Sequence, residues 1–515
     1  MTNLSLRQIN FGKIDAKNEL LTGNYNEKVD YENSFLVPPN ITIDDFLNKD
    51  LYFIVGLKGT GKTALLRYIS IISNKMPNLV NDFILFKSDF NEEDKKELAR
   101  AAHTTFVERE SVDTDETTFE NVWKWFIHRR IVDITNNATV DIFKRDENWE
   151  KYKSCIEIAD SGKNKSGIIK LFPKIRRGSL EVSASPKLGL EFDWDNDEKT
   201  SVKFSNLVKQ ADKLFGRLVP TAGGIRIYVD ELEVSIANSK AYNKDLQIIG
   251  DLLIAIEKIN ATAKKMGIDL CVYAAIRSEI LSSIESVGRE INKTISDFSK
   301  SVIWHSSGSD ETSHPLLRLV SKRIQVSEEK FKISAGKKES EIWKKYFDDI
   351  IFDEESQKFV LHQTWYKPRD IVRLFNIIKE FSPDAEKLTQ VVFEKARKEY
   401  SLRSWVELSE ELAGKYSKED ISAIKYLFNG FKSTFNLIEL NDNVSAKSKI
   451  YTNVDSLFKR VRSTDLLADL YRCGIIGNYI SGSSRRTRFS FRNDLDILYE
   501  HNFIIHPALK PYLSL

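Results

Sequence analysis

The sequence has few cysteines and almost no net charge, and both features narrow the class of protein. The three cysteines, Cys155, Cys271 and Cys473, are far apart and show no metal-ligand spacing. An odd and sparse set argues against a disulfide framework and fits a reducing cytosol. The formal net charge is +2, from 77 basic and 75 acidic residues. This balance is too even to indicate a nucleic-acid partner by itself.

Long apolar runs are also missing from the sequence. Residues 1–11 lack the apolar segment of a signal peptide, and no stretch approaches the roughly 18 apolar residues that cross a bilayer. We therefore expect a cytoplasmic protein without a membrane partner. The chain has 515 residues and a hydrophobic fraction of 41%, enough for a sizeable core. At roughly 100–200 residues per domain, this length suggests two to four domains.

Short apolar runs alternate with segments of helical periodicity over the first three hundred residues. This alternation predicts an α/β fold with a parallel sheet. The predicted strands are 51–55, 82–86, 225–229, 270–275 and 301–305. The predicted helices are 63–73, 118–136, 204–218 and 245–264, and a hairpin is predicted at 179–194.

Changes in composition predict four segments. Residues 1–45 are an extended lead-in, and 46–313 form the α/β core with an insertion at about 101–210. Residues 314–400 form a helical region without a clear strand. Residues 401–515 combine helices with a hairpin at 478–492 and a packed tail, in which we expect His506 to be structural.

Residues 56–63 match the phosphate-binding loop pattern G-x-x-x-x-G-K-[ST] at every fixed position, between a predicted strand and a predicted helix. Glycines let main-chain N–H groups approach phosphate oxygens, and the helix N-terminus favours anions. Lys62 would bind the β- and γ-phosphates, and the Thr63 hydroxyl would ligate Mg²⁺. The alternative is a chance glycine-rich turn. The predicted ATP-binding residues of the loop are Gly56, Leu57, Lys58, Gly59, Thr60, Gly61, Lys62 and Thr63.

The strand predicted at 225–229 ends in Asp230 and Glu231, at the edge where open α/β sheets bind ligands. Asp230 would hold Mg²⁺ through water, and Glu231 would orient and deprotonate the attacking water. Glu233 is a nearby alternative base that we expect to point along the next turn. An Asp-Glu pair after a strand is also a common helix N-cap.

The loop followed by the Asp-Glu pair resembles the AAA+ and STAND ATPases, including a bacterial family of stand-alone P-loop ATPases. In those families an extra strand lies between the P-loop strand and the Asp-Glu strand, and residues 82–86 are the candidate here. The resemblance covers about residues 45–400. The gap from Thr63 to Asp230 is longer than in compact AAA+ modules, and no repeat array or effector domain is recognised after the ATPase.

The same resemblance implies roles for three arginines. Arg277, which ends the strand predicted at 270–275, corresponds to a sensor of the γ-phosphate. Arg369, in the string Pro368-Arg369-Asp370, corresponds to a second sensor on a lid helix. Arg289 lies where AAA+ proteins carry an arginine finger that acts on a neighbouring subunit of an oligomer. Solvated or ion-paired arginines are the alternative at each position.

The predicted helix 463–475 followed by the hairpin resembles a winged-helix domain. The arginines of this hairpin are candidates for contacts with DNA phosphates, for contacts with an acidic protein partner, or for plain solvation. They are Arg485, Arg486, Arg488 and Arg492.

Three functions remain open from the sequence. The first is an ATP-driven switch in bacterial defence or signalling, the second a nucleotide-controlled DNA-binding protein, and the third a small-molecule kinase. The Asp-Glu pair and the arginine-rich lid argue against the kinase. The absence of an Asn-Lys-x-Asp guanine motif favours ATP over GTP.

Overall fold

The protein is described here from a computed structural model, which divides into two compact units. The core unit comprises residues 41–58 and 62–302, and the helical unit comprises residues 1–40, 59–61 and 303–515. The residues that the structure describes are 3–20, 24–89, 119–157, 179–181, 201–234, 239–286, 291–305, 310–333, 338–481 and 487–515.

The core unit is built on a five-stranded parallel sheet with the order β2-β5-β6-β1-β7. Every residue of β1 and β5 is buried, as expected of parallel strands covered on both faces by helices. The strands of this unit are β1 (Phe53–Gly56), β2 (Leu79–Leu85), β3 (Ser179–Glu181), β4 (Ser201–Lys203), β5 (Gly224–Asp230), β6 (Leu270–Arg277) and β7 (Ser299–Ser301). The predicted α/β fold class with a P-loop-type parallel sheet is confirmed.

Helices connect these strands. The described helices of the core unit are Ile43–Leu47, Lys62–Ser73, Phe86–Asp89, Glu120–Asn137, Glu147–Glu157, Phe204–Phe215, Ser239–Lys265, Ser278–Ser286 and Asn292–Phe298. The helix Lys62–Ser73 buries Leu65, Leu66 and Ile69 on one face, the spacing of a helix that packs on a sheet.

Two sequence predictions about the sheet are wrong. The strand between β1 and β5 is β6 and not residues 82–86, because β2 lies at the edge of the sheet. The difference in burial between the two strands explains why β2 lies at the edge and β6 lies inside the sheet. Only one of the seven residues of β2 is buried, whereas every residue of β6 before Arg277 is buried. The last strand is Ser299–Ser301 and not 301–305. This polar and largely exposed edge strand offers no apolar run that would reveal it.

The insertion predicted at about 101–210 is described only in part. The segment β3 pairs antiparallel with β4, so the partner of the predicted first strand lies beyond residue 194. The remainder of the hairpin predicted at 179–194 falls outside the described residues. Three helices of this region pack through aromatic side chains, and His128 is fully buried between the hydroxyl of Tyr152 and the carboxylate of Asp212, each 2.9 Å away.

Most of the described secondary structure of the helical unit consists of helices. Those described are Tyr25–Ser34, Pro315–Lys330, Glu339–Tyr346, Ser356–His362, Pro368–Phe381, Gln390–Leu412, Lys418–Phe428, Leu437–Ser448, Thr452–Phe458 and Ser463–Arg472. The prediction of an extended lead-in over 1–45 is wrong, because this segment contains the helix Tyr25–Ser34, whose N-terminus Asn24 caps. Upstream, Leu4, Leu6 and Ile9 are buried within this unit.

Strands of the helical unit correct two further predictions. Residues 315–400 do contain a strand pair, β8 (Ile350–Ile351) with β9 (Glu354–Glu355). The predicted C-terminal tail contains β13 (Asn502–Ile505), which lies inside a four-stranded sheet of order β10-β13-β11-β12. The other strands are β10 (Thr434–Phe435), β11 (Ile476–Tyr479) and β12 (Thr487–Arg488). The antiparallel pair β11 and β12 overlaps the hairpin predicted at 478–492, although β11 begins two residues earlier.

Candidate nucleotide-binding site

The loop between β1 and the helix Lys62–Ser73 carries the phosphate-binding sequence. Gly59 and Gly61 have φ angles of +84° and +94°, a left-handed conformation that glycine adopts without a steric penalty. The Lys62 ammonium donates to the carbonyl oxygens of Gly56 and Leu57 at 2.9 and 2.8 Å. The lysine therefore bonds to the loop itself, beside a helix N-terminus that favours anions.

The end of β5 brings a carboxylate to the first turn of that helix. Asp230 is 5% exposed, and the Thr63 hydroxyl and the Glu231 main-chain N–H both hydrogen-bond to its carboxylate. Burial raises the pKa of Asp230, although these hydrogen bonds and the charge of Lys62 oppose the shift. A buried carboxylate that meets a hydroxyl is an oxygen donor set that suits Mg²⁺. The residues present thus fit the predicted metal.

Glu231 adopts an unusual backbone conformation and has a partner that the sequence analysis did not name. Its φ angle is +58°, which is uncommon for a residue other than glycine. Its carboxylate accepts hydrogen bonds from the Ser88 N–H at 3.1 Å and the Ser88 hydroxyl at 2.6 Å. The β2–β5 register, in which Leu85 lies opposite Asp230, brings Ser88 close. The sequence signal for this contact was the position of Ser88, a polar residue just after the predicted strand 82–86.

Arg277 lies at the end of β6, where it pairs in register with Gly56, the first residue of the loop. In the structure its guanidinium forms an ion pair with Glu233, which also accepts from the Lys87 ammonium at 2.7 Å. Burial raises the pKa of Glu233, but the Lys87 hydrogen bond and the Arg277 charge outweigh burial, and the net pKa is lowered. Arg277 and Glu233 are each candidates from the sequence, but their contact is not predictable from it, because the two residues are 44 positions apart.

Arg369 lies in the helical unit, in the first turn of the helix Pro368–Phe381. Its guanidinium is 3.2 Å from the Glu407 carboxylate, which also pairs with Arg373. The neighbouring Asp370 is buried and accepts a hydrogen bond from the Trp365 N–H at 3.1 Å. The contact of Arg369 with nucleotide stays a prediction. Arg289 falls outside the described residues.

The arginines of the C-terminal hairpin differ from one another in environment. Arg488 pairs with Asp494 at 3.1 Å. Arg492 is 6% exposed, and its guanidinium lies 4.7 Å from the centre of the Tyr366 ring and 3.6 Å from the Glu311 carboxylate. Contacts with DNA phosphates, contacts with an acidic partner and plain solvation were the candidate roles of Arg492, and its burial fits none of them, since this arginine is a packing residue. Arg485 and Arg486 fall outside the described residues.

His506 lies in the interior of the helical unit. It is 1% exposed and stacks on the Trp365 ring with a centroid distance of 4.0 Å. Its Nδ1 accepts from the Ala508 N–H at 3.2 Å. These contacts are those of a packing residue that caps the following turn.

No described helix is long and apolar enough to span a membrane. Across the described ranges, no group of three or more His, Cys, Asp or Glu side chains is arranged to hold a metal ion. The assignment of Asp230 and Thr63 as metal ligands stays a prediction.

Comparisons with known proteins add a partial family match. Residues 314–409 match the model of a family described as the FunZ-associated C-terminal helical domain. This stretch contains Arg369 and the helix Pro368–Phe381. No curated protein matches the sequence significantly.

Solved structures that resemble the chain do so weakly. One is a Cdc6 protein from Pyrobaculum aerophilum, with 10% identity, coverage of 100% of this chain and 98% of that chain, and a TM-score of 0.34. Another is Drosophila ORC bound to DNA, with 10% identity, coverage of 94% and 90%, and a TM-score of 0.21.

Proposed function

We propose that the protein binds ATP with Mg²⁺ and hydrolyses it to drive a conformational switch. The observation that carries this proposal is the buried Asp230 carboxylate at the end of β5, which lies beside the Thr63 hydroxyl and the charge of Lys62. This arrangement brings the residue after the loop lysine to the acidic end of β5, although β6 separates β5 from β1 in the sheet. A metal held between these groups would face the phosphates bound by the loop.

The residues of the loop and of the strand end have separable tasks. Loop N–H groups and Lys62 would bind the phosphates once the ammonium leaves the carbonyls of Gly56 and Leu57. Asp230 and Thr63 would hold Mg²⁺, which neutralises charge on the phosphate oxygens. Glu231 would orient the attacking water and accept its proton after its carboxylate leaves Ser88.

Arg277 and Arg369 complete the proposal. Arg277 would stabilise the γ-phosphate from the end of β6 once it separates from Glu233. Arg369 would bind the nucleotide and so link nucleotide binding to the helical unit. To do so, its guanidinium would have to leave the Glu407 carboxylate, which lowers the net free energy gained from the contact. The resemblance to STAND ATPases supports assigning the resulting switch to signalling or defence.

The products of the reaction test this proposal against phosphoryl transfer to a metabolite. Purified protein is incubated with γ-labelled ATP and Mg²⁺, alone and with a small-molecule extract, and the labelled products are separated. We expect free phosphate under both conditions and no release when Mg²⁺ is chelated. A labelled metabolite in place of phosphate would identify a kinase.

A further inference from the structure

The Glu233 carboxylate lies among three cations near the phosphate-binding loop. One of its oxygens pairs with the Arg277 guanidinium, and the other accepts from the Lys87 ammonium at 2.7 Å. The charge of Lys58, within the loop, also acts on this carboxylate. Two cations from separate segments thus pair with a single protein anion, and a third cation acts on it through its charge.

These cations stand where a triphosphate is expected. Arg277 is opposite Gly56 in the pairing of β1 with β6, and Lys87 follows β2 by two residues. Both therefore lie at the carboxyl edge of the sheet, where ligands bind in open α/β folds. The Glu233 and Arg277 side chains are 31% and 29% exposed, so this ion pair can exchange partners with a solute.

We infer that Glu233 is a specificity-determining residue, which keeps Arg277 and Lys87 paired until the γ-phosphate of ATP displaces it. This inference rests on the proposed function. ADP has no γ-phosphate to compete for these cations, so the competition with Glu233 weakens ATP binding and leaves ADP binding unchanged. Glu233 would thereby set the level of ATP relative to ADP at which the protein changes state.

The test compares dissociation constants for ADP and for a non-hydrolysable ATP analogue, both with Mg²⁺, by calorimetry. The proteins are the wild type, Glu233→Gln, Arg277→Gln and the double variant. We expect Glu233→Gln to bind the analogue about fivefold more tightly and ADP within about twofold of the wild type. In the Arg277→Gln background the gain should be smaller, because Lys87 is then the only one of the two paired cations that Glu233 can still withhold.

Two further variants make the result specific. Glu279→Gln removes an exposed carboxylate at the start of the next helix and should leave both affinities unchanged. Glu233→Asp keeps the charge but withdraws the carboxylate by one methylene, so it should favour the analogue in the same direction and by less. This variant also keeps the test valid if the glutamine variant folds poorly.

The outcomes separate this inference from the proposed function. If the proteins bind nucleotide and Glu233→Gln leaves the ratio of the two affinities unchanged, the inference is overturned and the proposed function stands. The same holds if the gain is undiminished in the Arg277→Gln background. If none of the proteins binds either nucleotide, both are overturned.

Discussion

The Ser88 hydroxyl donates a hydrogen bond of 2.6 Å to the carboxylate of Glu231. This bond links the segment after β2 to the residue after β5, and the Ser88 N–H adds a second bond to the same oxygen. A carboxylate that accepts two hydrogen bonds is less available as a base for water. Ser88 therefore restrains the group that we assign to catalysis.

Replacing Ser88 by alanine should release part of this restraint. One hydrogen bond to a charged and partly exposed group is worth about 1 kcal/mol, so we expect about a fivefold rise in the turnover number. The affinity for a non-hydrolysable ATP analogue should not change, because Ser88 is not among the proposed phosphate ligands. Steady-state phosphate release and calorimetric binding measure the two quantities.

The matched control for that experiment is Ser282→Ala. Ser282 is exposed, and its hydroxyl donates to the main-chain oxygen of Ser278 and not to a carboxylate. This variant should hydrolyse ATP at the wild-type rate. A Ser88→Ala turnover equal to that of Ser282→Ala would show that Ser88 does not restrain the base.

Replacing Lys62 by alanine should abolish nucleotide binding. The ammonium already lies within the loop, 2.9 Å from the Gly56 oxygen, and its removal deletes the positive charge closest to the proposed phosphates. We expect the affinity for a fluorescent ATP analogue to fall about a hundredfold or more. Lys75→Ala, which removes an exposed lysine just beyond the same helix, should bind normally. Equal affinities in the two variants would argue against the loop as the binding site.

The pH dependence of stability should depend on His362. Burial opposes its protonation, but the Glu311 and Glu354 carboxylates outweigh burial and raise the pKa from 6.5 to about 9. A raised pKa means that the contribution is complete below pH 6.5 and is lost as the pH rises through 9. Because the side chain is about a quarter exposed, we expect about 2 kcal/mol.

The measurement compares wild type with His362→Gln in urea unfolding at pH 6 and at pH 10. Taking the difference between the two proteins removes the titration of groups that they share. The variant should be less stable at pH 6, and the gap should close at pH 10. A gap of the same size at both values would mean that the His362 charge does not stabilise the fold.

Arg492 should affect stability and not DNA binding. It is nearly buried, between the Tyr366 ring and the Glu311 carboxylate. Replacing it with methionine keeps much of the packing volume but leaves Glu311 without one of its cations. We expect the free energy of unfolding to fall by about 1–3 kcal/mol.

Arg462→Met, at a side chain that is 82% exposed, is the control and should change stability by less than about 0.5 kcal/mol. A selective loss of DNA retention in Arg492→Met, with stability unchanged, would contradict this assignment.

Local patterns predicted much of the core unit. The strand predicted at 51–55 overlaps β1, and the helix predicted at 63–73 matches Lys62–Ser73 to one residue. Both follow from short-range physics, since a buried parallel strand is apolar throughout and the loop pattern fixes where the helix begins. The strand that ends in Asp230 was found in the same way.

Nonlocal relationships were harder to predict. The residues 82–86 do not by themselves predict that this strand lies at the edge of the sheet, next to β5. The order of strands depends on how whole strands are buried against their neighbours. The pairing of Arg277 with Glu233, and the burial of Arg492, likewise depend on residues distant in sequence. Asp230 and Glu231 form a motif that the sequence alone predicts. The hydrogen bond from Ser88 to Glu231 depends on the register of β2 with β5, which the sequence alone does not predict.

The most direct test of the account is a comparison of ATP binding and hydrolysis in wild type and Glu231→Gln. Both proteins are loaded with labelled ATP and Mg²⁺, and bound nucleotide and free phosphate are followed in a single turnover. The account predicts that the variant binds ATP as tightly as wild type and retains it unhydrolysed, with release of phosphate at least about a hundredfold slower. Hydrolysis by Glu231→Gln at the wild-type rate, or failure of the wild type to bind ATP, would contradict it.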